Sequence, residues 1–111
     1  MSDKQKTLKQ DVLVSGIGLH TGKHVNLKIK PAEENSGYKF KRIDLEGEPI
    51  IDALVENVTT TTRGTTLQQN GAEVNTTEHV LAALYGMGID NASIELDGPE
   101  VPILDGSAKP Y

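Results

Sequence analysis

The sequence contains no cysteine and no tryptophan, and its only aromatic residues are Tyr38, Phe40, Tyr85 and Tyr111. Without cysteine there can be no disulfide framework, no thiolate metal site and no thiol nucleophile. Without large aromatic anchors, a core must be assembled from Val, Ile, Leu and Ala. No run approaches the ~18 apolar residues of a membrane-spanning helix. The first residues, Met1 to Lys6, are polar and hold no apolar signal core. A cytoplasmic protein that does not span a membrane is the expectation, and the sequons at Asn57, Asn75 and Asn91 then occur by chance.

Basic residues are also scarce, and a formal net charge of −5 argues against a nucleic-acid binder. The charge is unevenly spread. Residues 1–42 carry nine Lys/Arg against four Asp/Glu, whereas residues 43–111 carry two against twelve. The basic part could face an anionic group, but lysines that alternate with apolar residues more often form the wet face of strands. The 111 residues make about one small domain, 1–111, with room for a single core.

Val25, Leu27 and Ile29 alternate with Asn26, Lys28 and Lys30, the period-two pattern of a half-buried strand that Pro31 ends. Tyr38, Phe40 and Arg42 alternate with Lys39 and Lys41, so a hairpin is expected. Thr7–Ser15 reads as an earlier strand, and Ala92–Leu96 as a late one closed by Asp97-Gly98-Pro99. Between the first two strands lies Gly16-Ile-Gly-Leu-His-Thr-Gly22. Its spacing is off the dinucleotide fingerprint and a strand follows it, so it reads as a tight turn with His20 at its tip. The run Val58–Thr66 is β-prone and polar, which fits an edge strand and loop; Arg63 could hold an anion there.

One full helix is expected, from about Thr76 to Gly86. Asn75 and Glu78 fit a capping box, Val80, Leu81, Leu84 and Met87 form an apolar stripe, and Gly86 and Gly88 supply the stop. Asp105–Tyr111 reads as the start of a second helix, capped by Ser107 and cut off at Tyr111. The fold class is therefore α+β, a two-layer α/β sandwich with a mixed sheet packed against helices and the second helix truncated. A sheet face short of its cover should make the chain self-associate or borrow a neighbour's element.

Glu78-His79 is the sharpest chemical signal. Both fall in the first helical turn, where backbone N–H groups are unpaired and the field favours negative charge. That suits a carboxylate, and a neutral imidazole beside it is what a metal requires. Ala82, Ala83 and Gly86 are small and leave room for an approaching group. The plainer alternative is that Glu78 only caps the helix and His79 only decorates it. Neither the zincin pattern nor its inverse is present: Leu81-Ala82-Ala83 offers no second ligand, and Asn75 stands where the inverse pattern needs histidine. His20 and His24 could join His79 in a self-contained trio, although local geometry does not favour it. The acids Glu95, Asp97, Glu100 and Asp105 read mostly as solvated turn residues.

Four segments together resemble one family: residues 16–22, Thr77-Glu-His-Val-Leu-Ala-Ala-Leu84, Gly88-Ile-Asp-Asn91, and Pro99-Glu-Val-Pro-Ile-Leu-Asp-Gly-Ser-Ala108. In this order they resemble the UDP-3-O-acyl-N-acetylglucosamine deacetylases (LpxC), including those fused to an acyl-carrier-protein dehydratase. The resemblance implies a two-domain zinc hydrolase of lipid A synthesis in Gram-negative bacteria. This chain would be its N-terminal domain, and the C-terminal domain would be absent. Glu78 falls on the family's general base, His79 on a zinc ligand, and His20 on a histidine lining the active site. The remaining Zn2+ ligands, the general acid and most contacts to UDP-3-O-acyl-N-acetylglucosamine would lie in the missing domain, and the isolated chain should be inactive. The other readings are a non-catalytic binding or scaffold domain that uses Lys28, Lys30, Lys39 and Lys41, and the self-contained hydrolase of His20, His24 and His79.

Overall fold

A computed structural model of the chain describes residues 6–18, 21–61 and 64–102. The expected second helix at Asp105–Tyr111, together with His20 and Arg63, lies outside these residues.

The alternating segments form the expected strands, except that the strand expected over Thr7–Ser15 begins only at Val12 and runs on through Gly16 and Ile17. In chain order these are β1 (Val12–Ile17), β2 (His24–Pro31), β3 (Tyr38–Arg42), β4 (Ile50–Asp52), β5 (Val58–Thr61), β6 (Gly64–Gln69), β7 (Ala72–Val74) and β8 (Ala92–Leu96), with α1 (Glu78–Gly86) between β7 and β8. Five strands make one sheet in the order β1-β2-β8-β3-β4, and β5-β6-β7 make a second. The expected hairpin between β2 and β3 does not form. β8 inserts between them, antiparallel to β2 and parallel to β3, so the larger sheet is mixed.

Register explains why these segments alternate. Leu27 faces Leu96, and Ile29 and Phe40 both face Ile94. Together with Val25 and Ile51 they form an almost fully buried inner face. Val80 and Leu84 of α1, and Leu67 and Val74 of the smaller sheet, complete the same apolar cluster. The architecture is thus α+β, with a mixed sheet packed on one face by a helix and a second small sheet. Met87, expected in the helical stripe, is 45% exposed, because the helix has ended before it.

The outer face carries the lysines, but not as a bare basic patch. Lys28 pairs with Asp11, Lys30 with Glu95, Lys39 with Asp52 and Lys41 with Glu48. All four pairs reach solvent on at least one side, although Glu95 and Asp52 are half-buried, and such pairs carry small energetic weight. Their effect is to cancel the local positive potential.

Two turns show local chemistry. Asn70-Gly71 joins β6 to β7 with both residues at positive φ (55° and 78°), the tight hairpin turn that this dipeptide favours. At the helix end, Ile89 N–H donates to Leu84 O (3.0 Å) and Gly88 N–H to Tyr85 O (3.0 Å). Gly88 has φ +75°. This is a Schellman motif with glycine in the left-handed position.

Candidate active site

The helix begins later than its sequence pattern indicates. Its N-cap is Thr77, and no side chain caps it. Asn75, expected as the cap, is buried and turned to other work. Its N–H and Nδ2 donate to Pro99 O (2.8 and 3.1 Å), its Oδ1 accepts from Thr66 Oγ1 (2.7 Å), and its carbonyl accepts from Val101 N–H (3.1 Å). Asn75 thus stitches residues 99–101 to the helix approach. A local capping pattern has lost to tertiary hydrogen bonding.

Glu78 and His79 open the helix as its first two residues. Glu78 is half-buried and His79 exposed. Thr65 N–H at the start of β6 donates to Glu78 Oε1 (3.2 Å). In return Thr77 N–H and Oγ1 donate to Thr65 O (3.2 and 3.3 Å). This reciprocal pair ties the first turn of α1 to β6 and restrains one carboxylate oxygen of Glu78. The first intrahelical bond runs from Leu81 N–H to Thr77 O (3.1 Å). The N–H groups ahead of it lie beyond the intrahelical ladder, at the positive end of the helix.

His24 opens β2 opposite Ile17 and is exposed. Among the described residues no three His, Cys, Asp or Glu side chains gather closely enough to hold a metal ion. One imidazole and one carboxylate are therefore the local donor set.

Gly16 and Ile17 of the glycine-rich segment belong to β1, and the chain reverses only after them: Gly18 N–H donates to Lys23 O (2.9 Å) and Gly22 N–H to Gly18 O (3.0 Å). What sequence reasoning missed is the residue beneath it. Glu100 is 0% exposed, not a solvated turn acid. Its Oε1 accepts from Thr21 N–H and its Oε2 from Thr76 Oγ1, each at 2.9 Å. Of the other acids in that group, Asp97 accepts from Asn26 N–H (2.8 Å) and Nδ2 (2.9 Å), Glu95 pairs with Lys30, and Asp105 is outside the described residues. The signal for Glu100 was faint: a lone acid set between Pro99 and Val101-Pro102.

The family profile described as UDP-3-O-acyl N-acetylglycosamine deacetylase matches residues 5–111. The chain is 59% identical over 108 residues to a bifunctional enzyme LpxC/FabZ of Bacteroides thetaiotaomicron, covering 97% of this chain and 23% of that protein. It is 51% identical over 107 residues to the UDP-3-O-acyl-N-acetylglucosamine deacetylase of Geotalea uraniireducens, covering 96% and 35%. With the deacetylase of Methylococcus capsulatus the identity is 50% over 108 residues, covering 97% and 36%. The chain thus spans between about a quarter and just over a third of the length of these relatives.

Proposed function

Because the chain belongs to the UDP-3-O-acyl-N-acetylglucosamine deacetylase family, we propose that it supplies part of the active site of a zinc-dependent amidohydrolase in lipid A synthesis. Residues 1–111 act as the enzyme's N-terminal domain. The reaction is hydrolysis of the 2-acetamido group of UDP-3-O-acyl-N-acetylglucosamine: water adds, acetate leaves, and the free amine remains on the sugar. The observation that carries the reading is the placement of Glu78 and His79 on one helical turn, with the carboxylate anchored by Thr65 N–H.

An exposed imidazole beside an anchored carboxylate is a donor set that fits zinc, as part of a site. His79 would provide one nitrogen, and the other ligands come from elsewhere in the longer protein. When bound, zinc polarises the amide carbonyl and acidifies the attacking water. Glu78, through its carboxylate, would take the proton from the attacking water. The hydrogen bond from Thr65 limits the carboxylate's freedom, so its proton-accepting edge is held in a fixed direction. The proton for the departing amine is supplied from outside the described residues. By the family resemblance, His20 would line the active site; it lies outside the described residues.

No helix among the described residues is long and apolar enough to cross a membrane; the cytoplasmic location is proposed from the nucleotide-sugar substrate. The scaffold alternative loses its best feature, since each of its four lysines is paired with an acid. In the full-length enzyme, Glu78→Ala should retain zinc and lose turnover by about 100-fold or more, whereas His79→Ala should lower zinc affinity. Turnover of Glu78→Ala near that of the wild type would refute the assignment. Stoichiometric tight zinc in the 111-residue chain alone would favour a self-contained site instead.

A further inference from the structure

Glu100 is a buried carboxylate that the proposed chemistry does not use, and burying a charge is costly unless donors surround it. Its two oxygens serve two different segments. Oε1 accepts from Thr21 N–H in the glycine-rich turn, and Oε2 from the hydroxyl of Thr76, two residues before Glu78. The backbone around it is fastened on both sides. An isolated bridge joins Pro102 to Gly18 and another joins Glu100 to Asn75. A Cβ at Gly18 would lie 2.5 Å from Glu100 Oε1 and force that carboxylate to shift, so the close approach suits glycine.

Thr76 is the second observation. It has φ +59° and is 6% exposed. A β-branched residue in the left-handed region is an outlier that persists only where its surroundings impose it. This kink turns the chain out of its bridge to Glu100 and into α1, so it sets the direction in which the first turn projects Glu78 and His79.

We infer that Glu100 is a positioning residue for the Glu78-His79 site: its carboxylate holds Thr76 in the left-handed conformation and clamps the helix entry to the turn at Gly18–Gly22. The inference rests on the deacetylase reading for its consequence in catalysis, but the clamp itself does not. A carboxylate suits the position because it offers two acceptor atoms on opposite sides. Glutamine keeps one acceptor for Thr21 N–H, and its amide can donate to the Thr76 oxygen, so it reproduces the shape of the clamp. Aspartate is one methylene too short to span both partners.

The test uses the full-length protein with UDP-3-O-acyl-N-acetylglucosamine as substrate, together with hydrogen exchange at the Thr21 and Thr77 amides. Glu100→Ala and the near-isosteric Thr76→Val should lower kcat by about 100-fold with KM little changed, the cost of a small misplacement of reacting groups. Glu100→Gln and Thr76→Ser should restore kcat to within roughly tenfold of the wild type. Glu95→Gln, on the outer sheet face, should leave turnover unaltered. Exchange at Thr77 should quicken by roughly tenfold or more in both damaging variants, and at Thr21 in Glu100→Ala only. A folded Glu100→Ala or Thr76→Val protein with wild-type kcat overturns the positioning role. If Glu100→Ala does not fold, Thr76→Val and Glu100→Gln still decide. If the wild-type protein does not deacetylate the substrate, the deacetylase reading fails, and exchange alone judges the clamp: unchanged protection in both damaging variants overturns it.

Discussion

Gly18 and Gly86 illustrate how one substitution can take opposite signs. At Gly18 a Cβ would meet Glu100 Oε1 at 2.5 Å and Thr21 Oγ1 at 2.6 Å, whereas at Gly86 it meets nothing within 4 Å. Gly18→Ala should therefore destabilise the protein by about 1–3 kcal/mol through overpacking. Gly86→Ala, in the last helical position, should stabilise it by about 0.5–1 kcal/mol through helix propensity. Urea unfolding of the two variants checks both signs. Two titrating groups contribute to how stability changes with pH. The hydrogen bonds from Arg42 Nε and the second guanidinium nitrogen hold the Asp44 carboxyl below its ordinary value of 3.8, although burial opposes them. A depressed carboxylate contributes stability that is present above 3.8 and is lost as pH falls through its folded-state value. Tyr38, whose hydroxyl donates to Ile89 O, is raised above 10.0 by burial, with the Asp90 charge adding to it. Its contribution is complete below pH 10.0 and disappears as pH rises through the folded-state value. Asp44→Asn should flatten the acid limb of a stability-versus-pH curve, and Tyr38→Phe the alkaline limb. Unchanged limbs would count against these couplings.

Among the elements, β2, β3 and β8 were legible because each is half-buried, and a buried inner face imposes strict alternation along every strand that lines it. β4 and β7, three residues each, are too short to show a period. Asn70-Gly71 was a readable hairpin signal that the surrounding polar run obscured. Helix α1 was legible in its C-terminal end but not in its start or its cap, because Asn75 is drawn off by Pro99 and Val101, 24 and 26 residues away. The Glu78-His79 pair was legible as a motif. The groups that orient it, Thr65, Thr76 and Glu100, were not, since nothing in a local window records a hydrogen bond to a distant segment. The helix terminus offers a direct check on element chemistry. Gly88→Ala forces an L side chain into a φ of +75°, and should destabilise by about 1 kcal/mol. Truncation at Leu84, which is 0% exposed in the core, should cost about 2–5 kcal/mol as Leu84→Ala.

For the whole molecule, the edges decide behaviour in solution. β1 ends the larger sheet in the strand order and bears Leu13 at 75% and Ile17 at 45% exposure. Such an edge is a template for pairing with another chain. The 111-residue chain is therefore proposed to self-associate, and Leu13→Lys should weaken the association by placing a charge on the edge. Sedimentation velocity over a range of concentrations measures this, and a monomer throughout would contradict it. The strand order has a further consequence, in time rather than in space. β8 lies centrally between β2 and β3, yet among the described strands it is the last to leave the ribosome, fifty positions after β3 ends at Arg42. Until it emerges, β1-β2 and β3-β4 can exist only as two separate hairpins with their inner edges open. Closure over such a sequence separation is slow and leaves unpaired edges exposed meanwhile. Nascent chains halted ahead of Ala92 should thus remain protease-sensitive throughout, and protection should arrive in a single step once β8 is available.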